Sequence, residues 1–219
     1  MATVTVETNP PIVHEPRWPA VLAILAVGLL YLALPEELFP GPNWLLLAVL
    51  AILELPAMIS HRMGQAKINR GLGLVLSLLI TLALITSLCL LIAALPSKAV
   101  PPTALLRSAS ALWICNVLVF ASWYWRLDAG GPNQRDLNPA HTEGAFLFPQ
   151  MMIPGAKRSK TAWKPGFVDY LFLAFNTSTA FSPTDVPVLS RWAKALMMVQ
   201  SLISLSTIAV LAARAINIL

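Results

Sequence analysis

The sequence predicts an all-α polytopic membrane protein with about five transmembrane helices plus one short re-entrant or interfacial helix. Three observations carry this prediction. Hydrophobic residues make up 57% of the chain and charged residues 11%, far below the roughly 25% charged of an average soluble domain. The apolar residues recur as separate blocks, each near the length that crosses a hydrocarbon layer of ~30 Å at 1.5 Å per residue. Pro, Gly or charge bounds each block, which forces the chain to turn between them.

Residues 1–17 contain Pro10, Pro11 and Pro16 and lack the charged start and apolar core of a signal peptide, so they read as a flexible N-terminal tail. Residues 18–126 form a four-helix transmembrane region. Its first span runs from Trp18 to Leu34, with Pro19 in the first turn and Pro35 ending it. The connection PEELFPGPN cannot continue a helix, so the second span, Trp44 to Ser60, returns as a hairpin. The basic segment HRMGQAKINR leads into the third span, Gly71 to Leu95, the cleanest apolar block. The fourth runs from Thr103 to Trp125 and ends in Trp123, Tyr124, Trp125 and Arg126, an aromatic belt with a cationic anchor. Residues 127–165 are rich in Gly, Pro, Asn and basic side chains and read as one long polar loop. In 166–219, the segment Phe167 to Ala174 is too short to span, a polar stretch NTSTAFSPTD follows, and a long apolar helix from Arg191 to Ile218 ends the chain.

The net charge of +5 does not point to nucleic acid, because the Lys and Arg residues fall between apolar blocks and not in a basic stripe with stacking aromatics. Interfacial anchoring accounts for them, and Lys157, Arg158 and Lys160 suit contact with anionic head groups. The positive-inside rule places HRMGQAKINR in the cytoplasm and the acidic PEEL loop outside; alternation then makes the long loop cytoplasmic as well. Cys89 and Cys115 lie inside apolar runs and read as small hydrophobes. His14, His61 and His141 have no ligand spacing, so neither a metal nor another cofactor is expected. No phosphate loop, nucleophile elbow or acid, base and nucleophile set at one depth appears, and the expectation is that the chain is not an enzyme. There is no solenoid repeat or inverted symmetry between halves.

Lipid cannot satisfy the hydroxyl and amide groups of residues 176–185, so they must face protein or water. Asn176, Thr177, Thr179, Ser182, Thr184 and Asp185 are therefore candidates for a pore or ion site. The competing reading is that Ser182-Pro183-Thr184-Asp185 caps the last helix. Glu54 is an intramembrane carboxylate, a functional candidate by default, or else a group that snorkels or pairs with Arg62. Asn116 and Gln200 read as hydrogen-bond partners between helices.

The order short helix, polar stretch, charged turn and long helix in FVDYLFLAFNTSTAFSPTDVPVLSRWAKALMMVQSLISLSTIAVLAARAINIL resembles the pore domain of tetrameric potassium channels. With Asp185 on the filter aspartate, Thr177 and Thr179 fall on the two threonines that begin the filter. The family's Gly-Tyr-Gly falls on Ser182, Pro183 and Thr184, so a standard potassium filter is not implied. That family's pore loop enters from outside, which conflicts with the cytoplasmic placement of the long loop. The same region is similar to a family of bacterial integral membrane proteins of unknown function, through Asp169-Tyr170-Leu171-Phe172-Leu173-Ala174-Phe175 and Thr184-Asp185-Val186-Pro187-Val188-Leu189-Ser190-Arg191. These resemblances imply a pore-loop protein for a small monovalent cation, homo-oligomeric because one loop cannot close a ring, in the multi-pass setting of a bacterial plasma membrane. Its partners are the lipid bilayer and copies of itself, without nucleic acid. The alternative from another class is a non-conducting scaffold or partner-binding subunit.

Overall fold

The computed structural model of the chain describes residues 15–63, 65–96, 100–137, 144–153, 163–180 and 185–218. Among them are seven α-helices: α1 (Trp18–Leu32), α2 (Trp44–Arg62), α3 (Ala66–Ala94), α4 (Pro102–Leu127), α5 (Pro132–Leu137), α6 (Phe167–Thr179) and α7 (Arg191–Ile218). Single 3-10 turns occupy Glu36–Leu38, Asp128–Gly130 and Pro149–Met152.

Local chemistry fixes the boundaries. Pro19 and Pro102 sit in first turns, where no backbone N–H is needed. Pro101, extended at φ −59° and ψ 144°, holds the chain out of the helix just before α4. Ser190 caps α7, its hydroxyl accepting from the Ala193 N–H at 3.3 Å. This overturns Asp185 as the cap of the last helix: α7 begins six residues later, and Asp185 is exposed. Ser182 and Thr184 lie outside the described residues.

α4 is the centre of the bundle, packed against α1, α3, α6 and α7, while α2 covers α1 and α3. Fourteen of its 26 residues are buried, so apolar side chains line almost its whole circumference. The outer helices are one-sided. α3 turns Val75, Leu78 and Leu82 outward, and α7 turns Met198, Leu202 and Leu205 outward, each at least half exposed. α3, the α4 segment Pro102–Gly130 and α7 are long and apolar enough to cross a membrane. Their bare apolar sides suit a hydrocarbon solvent, since water would leave large exposed patches. α1 and the apolar part of α2 are shorter.

The ends of the bundle differ in charge. At one end α1, α3, α6 and α7 begin and α2 and α4 finish, with Arg17, Lys67, Arg70, Arg126, Arg135, Lys164, Arg191 and Lys194. At the far end, where the Arg214 guanidinium donates to the Leu95 carbonyl, the described cations are Arg107 and Arg214, beside Glu36 and Glu37.

Three expectations need correction. α2 runs on to Arg62 and α3 starts at Ala66, so seven of the ten residues of the basic segment read as a loop are helical; Lys67, Ile68 and Arg70 are exposed and extend α3 at little cost. α6 continues through Asn176, Thr177, Ser178 and Thr179, the start of the polar stretch, because the Thr177 and Thr179 hydroxyls bond within the helix and Ser178 Oγ accepts from Gln200 of α7. The long loop is partly built into the core. Phe146 is 1% exposed, and its ring meets those of Tyr124, Tyr170 and Trp192 at 5.2, 6.3 and 6.0 Å. At Gly131, φ is +92° and a Cβ would lie 2.7 Å from the Arg126 carbonyl oxygen, so only glycine turns the chain off α4 here.

Candidate functional site

α6 enters the bundle at the basic end and stops halfway along it. Its first residue, Phe167, meets Trp125 edge to face at 5.9 Å, and the Tyr170 hydroxyl donates to Asp128 Oδ2 at 2.7 Å. Two turns further on, Phe175 packs on Trp113 at 5.9 Å and Ser178 reaches Asn116. Trp125 to Trp113 is twelve residues of α4, or about 18 Å along its axis. The chain then returns to the end it came from. Val188 forms an isolated antiparallel bridge with Phe146, the Leu147 N–H donates to the Pro187 carbonyl at 3.0 Å, and the Leu189 N–H donates to Ala145 at 2.8 Å. From there α7 runs the full length of α4 in the opposite sense.

Where α4, α6 and α7 meet at the depth reached by Ser178, a buried polar seam joins them. Gln200 of α7 is fully buried. Its Nε2 donates to the Ala174 carbonyl at 2.7 Å and to Ser178 Oγ at 2.8 Å, and its Oε1 accepts from the Tyr124 hydroxyl at 2.5 Å. Asn116 Nδ2 donates to the Gln200 carbonyl at 3.2 Å and, at 3.5 Å, to Ser178 Oγ. Ser204 donates to the Ser178 carbonyl at 2.7 Å and accepts from Trp113 Nε1 at 3.0 Å. Asn116 Oδ1 is buried with no hydrogen-bond partner among the described residues.

The sequence candidates therefore separate. Asn116 and Gln200 stand in the seam as the interhelical partners they were expected to be. Thr177 is buried and donates to the Leu173 carbonyl at 2.9 Å, a bond within its own helix. Thr179 is exposed and donates to Phe175 at 3.0 Å, and Asn176 is half-buried. Asp185 is exposed at the basic end and touches none of the seam residues through a hydrogen bond among the described residues. Ser178, Ser204, Tyr124 and Trp113 were missed. A helical reading of 167–179 would have found Ser178, since it falls one turn from Ala174 on the same face.

A second cluster, also missed, locks the basic end. Arg135 is 2% exposed; Nη1 donates to the carbonyls of Trp125 and Asp128 at 2.8 and 2.9 Å, and Nη2 pairs with Glu15 at 3.0 Å. Its guanidinium lies over the Tyr170 ring at 5.1 Å. Asp128 accepts from the Ala145 N–H at 2.5 Å. Glu15 also accepts from Trp125 Nε1 at 2.5 Å, and Arg17 donates to Asn133 at 2.5 Å and pairs with Asp136 at 3.3 Å. Residues 15–17, expected as part of a loose tail, are thus fastened to the turn after α4. Burial pulls the Arg17 guanidinium below its ordinary pKa, opposed by Asp136 and Glu15.

Glu54 is buried between α2, α3 and α4. Its charged partner among the described residues is Arg126, with Nη2 3.9 Å from Oε2; the side chain of Arg62, the partner the sequence suggested, lies outside the described residues. Glu54 lies eight positions before the end of α2, but the side chain turns inward to α4. Among the described residues no group of three or more His, Cys, Asp or Glu side chains is placed to hold a metal ion. No family model, no curated protein and no solved structure matches the chain.

Proposed function

We propose that the chain is a multi-pass plasma-membrane protein in which α1, α2, α3, α4 and α7 cross the bilayer, α6 is a re-entrant half-helix, and several copies together line a path for a small monovalent cation. The observation that carries this reading is the return of the chain to the end at which α6 entered. A helix about 20 Å long that stops at half depth turns its last carbonyls to where lipid offers no donor, and α7 supplies donors to those of Ala174 and Ser178. α6 has no basic residue in its last turn, so the negative end of its dipole favours a cation or water there. The order α4, α6, return segment, α7 is that of the pore-domain resemblance, and Thr179 and Asp185 are both exposed on it. The basic end is cytoplasmic on the positive-inside rule, so the half-helix enters from inside. α1, 15 residues long, then crosses a locally thinned bilayer or one extended by its interfacial Trp18.

Purified protein in liposomes is the test. Potassium or sodium flux that Thr179→Val and Asp185→Asn alter is expected, and the absence of flux under either gradient removes the reading. One observation favours a non-conducting scaffold instead: the Thr177 and Ser178 hydroxyls are both consumed inside the bundle. In that case no ion passes under either gradient, and Asp185→Asn, at an exposed site, leaves unfolding unchanged.

A further inference from the structure

Arg126 ends α4 with its guanidinium laid on the backbone of α3. A Cβ at Gly73 would lie 1.9 Å from Arg126 Nη1 and 2.8 Å from Cζ, so the absence of a side chain at Gly73 makes the shelf on which the guanidinium rests. Facing it from α2 is Glu54, 7% exposed. The 3.9 Å between Nη2 and Oε2 is an ion pair but too long for a hydrogen bond. Three buried polar atoms at this junction have no hydrogen-bond partner among the described residues: Glu54 Oε2, Arg126 Nε and, one turn along α3 from Gly73, Ser77 Oγ. A carboxylate that accepts no hydrogen bond at this atom is held by charge alone, and a proton on it removes the buried charge and turns that oxygen into a donor.

We infer that Glu54 is a reversible proton-binding site, with Arg126 on the Gly73 shelf setting the pH at which the proton is taken up. The site is separate from the α6 path and does not depend on it. Among the described residues, few other groups act on it. α1 carries Tyr31 as its one ionisable side chain, near its other end; α3 brings Gly73 and Ser77 to the site and keeps Lys67 and Arg70 exposed; Arg126 is the charged group that α4 presents. Arg17 stands behind Arg126 as its second charged neighbour. Uptake of a proton neutralises Glu54 and removes the counter-charge of Arg126, which loosens the tie between the end of α4 and the α2–α3 hairpin. Low pH therefore frees the turn that leads to α6, and high pH fastens it.

The test is infrared difference spectroscopy of the full chain in lipid nanodiscs across a pH series, with far-ultraviolet circular dichroism confirming that each variant is folded. A protonated-carboxyl band that Glu54→Gln abolishes is expected. Arg126→Gln should move its midpoint up by about one to three pH units, the size of the effect of an opposite charge at this range, and Arg126→Lys should move it less. A Glu54→Gln spectrum identical to the parent at every pH overturns the inference, and so does a folded Arg126→Gln variant whose midpoint stays in place. Should Arg126→Gln not fold, the Glu54→Gln comparison decides alone.

Discussion

Replacing Gln200 with Leu removes the centre of the α4–α6–α7 seam while keeping volume and apolar packing nearly constant. Three hydrogen bonds go: two from Nε2, to Ala174 and Ser178, and one from Tyr124 to Oε1. Bonds between helices in membrane proteins average about 0.6 kcal/mol and reach about 1.7, so three contribute about 2 kcal/mol. The Tyr124 hydroxyl, fully buried, is left without its acceptor, which places the expected loss at about 2–3 kcal/mol. That is a large part of the stability of an ordinary domain. The assay is reversible unfolding in mixed micelles followed by circular dichroism. A double-mutant cycle with Tyr124→Phe should give a coupling of about 0.6–1.7 kcal/mol between the two side chains. Gln134→Leu, on an exposed side chain, should stay within about 0.5 kcal/mol. A Gln200→Leu loss as small as that of Gln134→Leu, or zero coupling to Tyr124, refutes the seam as the element that seats α6.

Other perturbations test the rest of the frame. Arg135→Ala should cost about 3–5 kcal/mol in the same unfolding assay, because Glu15 loses its buried partner and two carbonyls lose a donor. Gly131→Ala should cost at least about 1–2 kcal/mol, since its positive φ is strained for any residue with a Cβ. Membrane-impermeant maleimide should label Leu137→Cys only in inside-out vesicles and Glu37→Cys only in intact cells, both in a background lacking Cys89 and Cys115; the reverse pattern inverts the orientation argued from charge.

The long helices and most of their ends were legible in the sequence, because long apolar runs between prolines leave few alternatives; α5, inside the segment read as a polar loop, was not. α7 has the same bounds that its Arg191 and terminal apolar run predicted. The hydroxyl-rich stretch was misread for a physical reason. Ser and Thr are weak helix formers in isolation, yet here Thr177 and Thr179 bond back to their own helix, and Ser178 is held by α7, 22 residues away at Gln200. The same limit hid Arg126 as the partner of Glu54 and Glu15 as that of Arg135: these pairs join residues separated by 72 and 120 positions. Periodicity sees neighbours along one element, and such pairs exist only after elements are stacked. The buried Phe146 was hidden likewise, since a single bridge to Val188 leaves no repeating pattern.

The dependence of α6 on Gln200 and Ser204 has a consequence for biogenesis. Both partners belong to α7, which leaves the ribosome after α6, so α6 emerges with Asn116 of α4 already made but without its two partners on α7. Its docking therefore waits for α7, and a transcript truncated before α7 should yield a product whose α6 remains outside the bundle and open to protease.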